Sequence, residues 1–133
     1  MQKLILALYS DDSTVRSSVI ASLGKQLDKD LPPHEIKEFA TADALRLYVD
    51  SKKQVDLFIL DAEAVPEGGM GVCRQLKDEV FNCPPVLLIT ARTSDNWLAT
   101  WSRAEATVMH PIDPFTIAAK CAGLLKSNSA LAK

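Results

Sequence analysis

Leu57-Phe58-Ile59-Leu60-Asp61 is an apolar run that stops on a carboxylate, and the reading of this stretch decides the fold. Three other runs also stop on polar groups. Leu4-Ile5-Leu6-Ala7-Leu8 leads into Ser10, Asp11 and Asp12; Val86-Leu87-Leu88-Ile89 stops at Thr90-Ala91; Thr107-Val108-Met109 stops at His110-Pro111. Short runs with almost no polar residue fit strands buried on both faces of a parallel sheet. Parallel strands place their carboxyl ends on one edge, so the four polar groups are expected to converge there. In an open α/β sheet that edge is where ligands bind. A carboxylate cluster in that place suits a hard cation such as Mg²⁺, and it suits a carboxylate that acts as a nucleophile.

Amphipathic stretches alternate with the runs. The first strand is expected near Lys3 to Tyr9. Ser13 to Leu27 carries Val15, Val19, Leu23 and Leu27 at four-residue spacing, a helical stripe that continues past Gly24 and that Asp12 or Ser13 can cap. Pro32-Pro33 forbid helix, which makes 28–34 a loop with His34 at the surface. Ile36 to Ala40 reads as an outer strand. Thr41 caps a second helix with Ala42, Leu45 and Val49 inward. Val55 to Leu60 is a third strand, Ala62 to Gly71 a loop, and a third helix follows with Val72, Leu76 and Val80 inward. Ser94 caps a fourth helix containing Trp97, Leu98 and Trp101. Ala106 to Met109 is a fifth strand, and Pro111 and Pro114 introduce a last helix with Ile117, Cys121 and Leu124 on one side. Residues 127–133 read as a small polar tail that frays, so the domain is expected over 1–126. Five βα units imply a doubly wound parallel sheet with helices on both faces, and no segment is left for an effector domain.

The 133 residues suit one domain, and 47% apolar residues suffice for a core. A net charge of −2 with mixed signs offers no basic footprint for nucleic acid. No run approaches the ~20 apolar residues that cross a bilayer, and the first strand begins too early for a signal peptide. These features point to the cytoplasm. Cys73, Cys83 and Cys121 lack CxxC spacing and read as buried thiols.

The chain resembles the response-regulator receiver domain, the CheY-like family, over essentially its whole length. The stretches that carry the likeness are Leu4-Ile5-Leu6…Ser10-Asp11-Asp12…Arg16, Asp56-Leu57-Phe58-Ile59-Leu60-Asp61, Pro66…Gly69…Cys73-Arg74-Gln75-Leu76, Pro85-Val86-Leu87-Leu88-Ile89-Thr90-Ala91 and Ala104…His110-Pro111. The resemblance implies a strand order of 2-1-3-4-5 and a phosphoacceptor at Asp61, charged by a histidine kinase or another phosphoryl donor. Acyl phosphate chemistry needs an ionised carboxylate and neutralisation of the transferring phosphoryl. By the same likeness, Mg²⁺ is held by Asp11, Asp61 and the Glu63 backbone carbonyl, with Asp12 as an additional candidate. Thr90 is the switch hydroxyl, Gly69 keeps its structural place, and the His110-Pro111 bond is cis.

Departures from the pattern are as informative as the matches. Ser10 stands where the family has an acid, which removes a charge from the metal site and leaves a hydroxyl able to hold a water. Asp12 also reads as a helix N-cap. His110 replaces a lysine that pairs with the phosphoryl; it can donate more weakly and with a pH dependence. The proline after Asp61 comes one position late, at Pro66. Thr107 replaces the aromatic residue that follows the switch hydroxyl, so the usual coupled rotamer change is absent.

Trp97 and Trp101 lie four apart on one helical face. In the family, the fourth helix, fifth strand and fifth helix contact partners or a second copy, and Trp101 is the better exposed anchor. These readings describe an atypical stand-alone receiver of a two-component pathway, not an enzyme, weakly phosphorylated on Asp61, sensitive to Mg²⁺ and passing its signal by protein contact. A phosphorylation-independent pseudo-receiver is the first rival. A small phosphatase with Asp61 as nucleophile and Glu63 as general acid is a remote one. A flavodoxin-like cofactor binder is weaker still, because the loop after the first strand is acidic where glycines and hydroxyls are needed.

Overall fold

The computed structural model describes residues 3–91 and 100–131. Its elements run β1 (Leu4–Tyr9), α1 (Ser13–Leu23), β2 (His34–Phe39), α2 (Ala42–Asp50), β3 (Leu57–Asp61), α3 (Gly69–Glu79), β4 (Val86–Thr90), β5 (Ala106–Met109) and a C-terminal helix (Pro114–Leu131). A helical stretch at 100–102 precedes β5. The expected fourth-helix cap at Ser94, with Trp97 and Leu98, lies outside the described residues.

Every strand pairing is parallel, in the order β2-β1-β3-β4-β5. Side chains alternate across the sheet and split the core in two. Leu6, Leu8, Leu57, Ile59, Leu87 and Ile89 meet α1 and the C-terminal helix through Val19, Leu23, Ile117, Cys121 and Leu125. Ala7, Tyr9, Phe58, Leu60, Val86 and Leu88 meet α2 and α3 through Leu45, Val72, Cys73 and Leu76. Each large side chain so buried contributes about 1.5–3 kcal/mol. Double-sided burial explains why the strand runs carry almost no polar residue. The sheet borders are β2 and β5. The first presents the Glu35–Lys37 ion pair (2.6 Å), and the second is four residues long.

Several boundaries differ from the sequence reading. Helix α1 stops at Leu23, not Leu27, because Gly24 takes φ +58 while its N–H closes on the Ile20 carbonyl at 3.1 Å. Leu27 still packs against the core from the following loop. Strand β2 begins two residues early, at His34, and α3 begins at Gly69 with Gly68 as its N-cap, leaving Val80 just past its end. The C-terminal helix continues through the expected fraying tail to Leu131, since no proline or glycine interrupts 127–131. The inward position expected of Leu124 is taken by Leu125, eight residues after Ile117 and hence on its stripe, with Leu124 half-buried beside it.

His34 is not a surface residue. It is 7% exposed, its Nε2–H donates to the Gly24 carbonyl at 2.7 Å, and its Nδ1 is buried without a hydrogen-bond partner. Burial pulls its pKa below the usual imidazole value, against the opposing pull of the Gly24 carbonyl. All three cysteines are free thiols; Cys73 and Cys121 are buried and Cys83 is half-buried.

Candidate functional site

The carboxyl ends of β1, β3 and β5 meet at one rim around an open hollow of about 400 Å³, lined by Asp11, Asp12, Val15, Asp61, Glu63, Ala91 and His110. The ladders continue one residue past the strands. Ser10 N–H donates to Phe39 O (3.2 Å), Ala62 N–H to Ile89 O (2.8 Å), and His110 N–H to Thr90 O (2.8 Å). These bonds hold the residues following each strand in register at the rim.

Asp61 is the centre of the site and is only 2% exposed. Its Oδ1 accepts the Glu63 backbone N–H at 2.9 Å and stands 3.2 Å from His110 Nε2. Its Oδ2 accepts the Ser10 hydroxyl at 2.7 Å. A buried carboxylate needs such donors, because a bare charge in this setting is costly. His110 can donate as the Nε2–H tautomer or as imidazolium.

Ser10 is fully buried, and its hydroxyl also accepts the Asp12 N–H at 3.1 Å. Arg16 Nη1 donates to the Ser10 carbonyl at 2.6 Å while its Nε reaches Glu38 at 3.1 Å, which pins the turn leaving β1. The proton of the Ser10 hydroxyl is given directly to Asp61. Asp12 caps α1 by accepting Thr14 N–H at 2.8 Å. Asp11 leans across the rim and accepts the Val65 backbone N–H at 3.2 Å.

The loop after Asp61 is fastened at further points. Tyr9, buried at the end of β1, donates its hydroxyl to the Glu67 carbonyl at 2.6 Å. Arg46 on α2 pairs with the Glu67 carboxylate and also reaches Asp43 (3.1 Å) and Gln75 (2.8 Å). Burial raises the Tyr9 phenol, and the negative Glu67, Asp11 and Asp61 add to that shift. A Cβ on Gly68 would lie 2.7 Å from Ala62 O, and one on Gly69 would lie 2.8 Å from Asp61 O. The start of α3 therefore packs directly on the backbone leaving β3, a contact that only glycine permits. Both Val65-Pro66 and His110-Pro111 are cis.

Thr90 is buried, with its hydroxyl 3.4 Å from Val108 O, and it does not line the hollow. Thr107 sits mid-strand opposite Leu88, and Lys120 Nζ donates to its carbonyl at 2.6 Å. Trp101 is 48% exposed; the Arg74 guanidinium lies 5.3 Å from its ring centroid and donates to its carbonyl at 2.9 Å. Trp97 lies outside the described residues.

The donor set can be tested against the Mg²⁺ that the family likeness implies. Among the described residues, no three His, Cys, Asp or Glu side chains stand together so as to hold a metal ion. Asp11 and Asp61 face the hollow, but Asp61 has donors on both oxygens and one Asp11 oxygen holds a backbone amide. The set does not fit a ready-made cation site. The sequence reading missed the roles of Tyr9, Arg46 and Glu67. A tyrosine closing an otherwise aliphatic strand was the one visible signal, since a buried phenol needs a hydrogen-bond partner.

No family model matches the chain. Two curated proteins, one from each of two Mycobacterium tuberculosis strains and each called an uncharacterized response regulatory protein, are 46% identical over 124 residues. The match covers 93% of this chain and 92% of theirs. Among solved structures, the BeF₃-activated DrrB receiver domain matches with TM-score 0.73 and 19% identity, covering 94% of this chain and 99% of that one. A CheY-like receiver domain protein from Methanospirillum hungatei matches with TM-score 0.76 and 16% identity over 97% and 98% of the two chains. A receiver domain protein from Clostridium thermocellum matches with TM-score 0.78 and 18% identity over 96% and 98%.

Proposed function

The chain belongs to the response-regulator receiver family of two-component systems, and from that premise we propose that it is an atypical receiver whose Asp61 accepts a phosphoryl group slowly and whose output is protein contact. Receiver domains interact with histidine kinases and with effectors, and they are signalling proteins rather than typical enzymes. They generally use Mg²⁺ for phosphorylation.

The observation that carries the reading is the environment of Asp61. A carboxylate at the end of the central strand β3, on an open rim, is where a phosphoryl donor can reach it. In the reaction, an Asp61 oxygen forms a bond to phosphorus while the bond from phosphorus to the donor's imidazole nitrogen, or to acetate, breaks with its electron pair. The leaving nitrogen takes a proton. The same carboxylate is tied down by Ser10, Glu63 N–H and His110. Donors on both oxygens lower the nucleophilicity of the carboxylate and leave only one lone-pair direction, on Oδ2, for attack, which makes transfer slow. His110 at the rim serves as the donor to the phosphoryl oxygens, a weaker one than a lysine ammonium.

Exposed Trp101, stacked with Arg74, is the anchor we assign to the output surface, for an effector or for a second copy of the chain. The cytoplasm is the proposed location; no helix among the described residues is long and apolar enough to cross a membrane.

The test is incubation with acetyl phosphate or beryllofluoride at millimolar Mg²⁺, read by intact mass and amide NMR. The expected result is slow gain of one phosphoryl group, or shifts around Asp61 and Thr90, absent in Asp61→Asn. No response favours the second reading, a phosphorylation-independent interaction module, which the three protein donors on Asp61 also support. Turnover of an aryl phosphate would point instead to a phosphatase with Glu63 as acid.

A further inference from the structure

We infer that the resting hollow is closed to divalent cations, because Ser10 and Asp11 do the structural work that an ion would otherwise do. This rests on the receiver reading of the rim, and its test uses no phosphoryl donor, so it can fail or hold whether or not Asp61 is an acceptor.

An acid in place of Ser10 would face Asp61 with a second negative charge, and such a pair is relieved by a cation or a proton. Serine removes the conflict. Its hydroxyl proton sits 2.7 Å from Asp61 Oδ2 and supplies the positive end that the carboxylate requires. The other oxygen has Glu63 N–H at 2.9 Å and His110 Nε2 at 3.2 Å. Each carboxylate oxygen offers about two lone-pair directions. Oδ1 is therefore full, and Oδ2 keeps one.

Asp11 has a task of its own. It accepts Val65 N–H across the rim at 3.2 Å, joining the turn after β1 to the loop after β3. Tyr9 and Arg46 fasten the same loop further along, at Glu67. The loop is thus stitched to β1 and α2 at three side chains, and Asp11 is the stitch nearest the hollow. An octahedral Mg²⁺ drawing on Asp11 and Asp61 needs ligands at about 2.0–2.1 Å. Such an ion must draw on an Asp11 side chain whose position the Val65 N–H already holds through one oxygen, and must sit beside the Ser10 hydroxyl, whose proton points at the one Asp61 oxygen with a lone-pair direction to spare. The strong negative field of Asp11, Asp12, Asp61 and Glu63 attracts cations to the opening, where they remain hydrated and unspecific.

The experiment titrates MgCl₂ into the whole chain. Amide NMR is expected to show small, non-saturating shifts up to about 10 mM, and the thermal midpoint is expected to move by under about 1 °C between EDTA and that concentration. Saturable shifts at Asp11, Asp61 and Ala62 to Ala64 with a midpoint at or below about 1 mM overturn the inference. Ser10→Asp rebuilds the acid pair. It should bind with a midpoint near 1 mM and gain about 4–7 °C in about 10 mM MgCl₂; a folded variant without that gain also overturns it. The stitch is read by hydrogen exchange at Val65. Asp11→Ala should speed it severalfold, while Asp11→Asn, which keeps an acceptor oxygen, should leave it near the wild-type rate. No acceleration in Asp11→Ala removes the Asp11 half of the argument and with it the inference.

Discussion

Replacing Ser10 by alanine isolates the contact on which the character of the site depends. The hydroxyl makes two bonds: it donates to Asp61 Oδ2 at 2.7 Å and accepts Asp12 N–H at 3.1 Å. Hydrogen bonds to charged groups contribute about 1.5–3 kcal/mol net, and loss of a partner leaves the other group's desolvation uncompensated. Ser10 is fully buried and Asp61 is 2% exposed, so water replaces the lost donor poorly. The expected destabilisation is therefore about 2–3 kcal/mol. For a chain of 133 residues this lowers the thermal midpoint by roughly 6–15 °C. Urea unfolding at neutral pH gives the first number and calorimetry the second. A double-mutant cycle with Asp61→Ala separates the contact from the packing of the serine. The coupling energy should reach at least about 1 kcal/mol, since the residues touch. A Ser10→Ala protein within about 0.5 kcal/mol of wild type, or a coupling energy below about 0.5 kcal/mol, would show that the hydroxyl does not hold the carboxylate.

Four further outcomes follow from the packing. Burial lowers the His34 pKa in the fold below its unfolded value near 6.5, so its share of stability is present above that value and is lost as pH falls toward the folded pKa. His34→Gln should flatten the loss of urea midpoint between about pH 7 and pH 5 relative to wild type; parallel curves for the two proteins would refute this. Gly71 and Gly123 lie inside helices, and a Cβ on either meets nothing within 4 Å, so each Gly→Ala change should add about 0.5–1 kcal/mol in urea unfolding. Gly69→Ala should instead cost about 2 kcal/mol or more, because its Cβ would stand 2.8 Å from Asp61 O. Burial pushes the Cys73 thiol up to about 11 and the Cys121 thiol up to about 12, so a disulfide reagent at pH 8 should find neither before unfolding and both after it.

Much of the fold can be read from the chain because the strands carry their burial in their composition. Leu57 to Leu60 and Val86 to Ile89 are apolar on both sides, which fits only a sheet covered on both faces. The strand order came through the family resemblance. Parallel strands put Asp11, Asp61 and His110 on one rim, and the strand order, with β1 beside β3, brings them around one hollow. What resisted reading was hydrogen bonding between elements. Nothing near Asp11 in sequence announces Val65, and nothing near Ser10 announces Asp61, since both bonds span more than fifty residues. Gly24 is compatible with a helical stripe in sequence, yet its positive φ, which glycine adopts without a steric penalty, turns the chain out of α1 after the Ile20 carbonyl has been satisfied. His34 follows two prolines and reads as a loop residue in sequence; its buried ring is held by the carbonyl that Gly24 leaves free, which is a consequence of that helix end.

The outer strands bear on how this protein behaves when crowded. A bare strand invites another chain to pair with it and so seeds fibrils. Here one margin alternates Glu35, Lys37 and Glu38 along its length, and the other offers only Ala106 to Met109. Neither is a good template for recruitment. Association at high concentration should therefore proceed through helical faces and stay reversible, leaving no thioflavin-positive material.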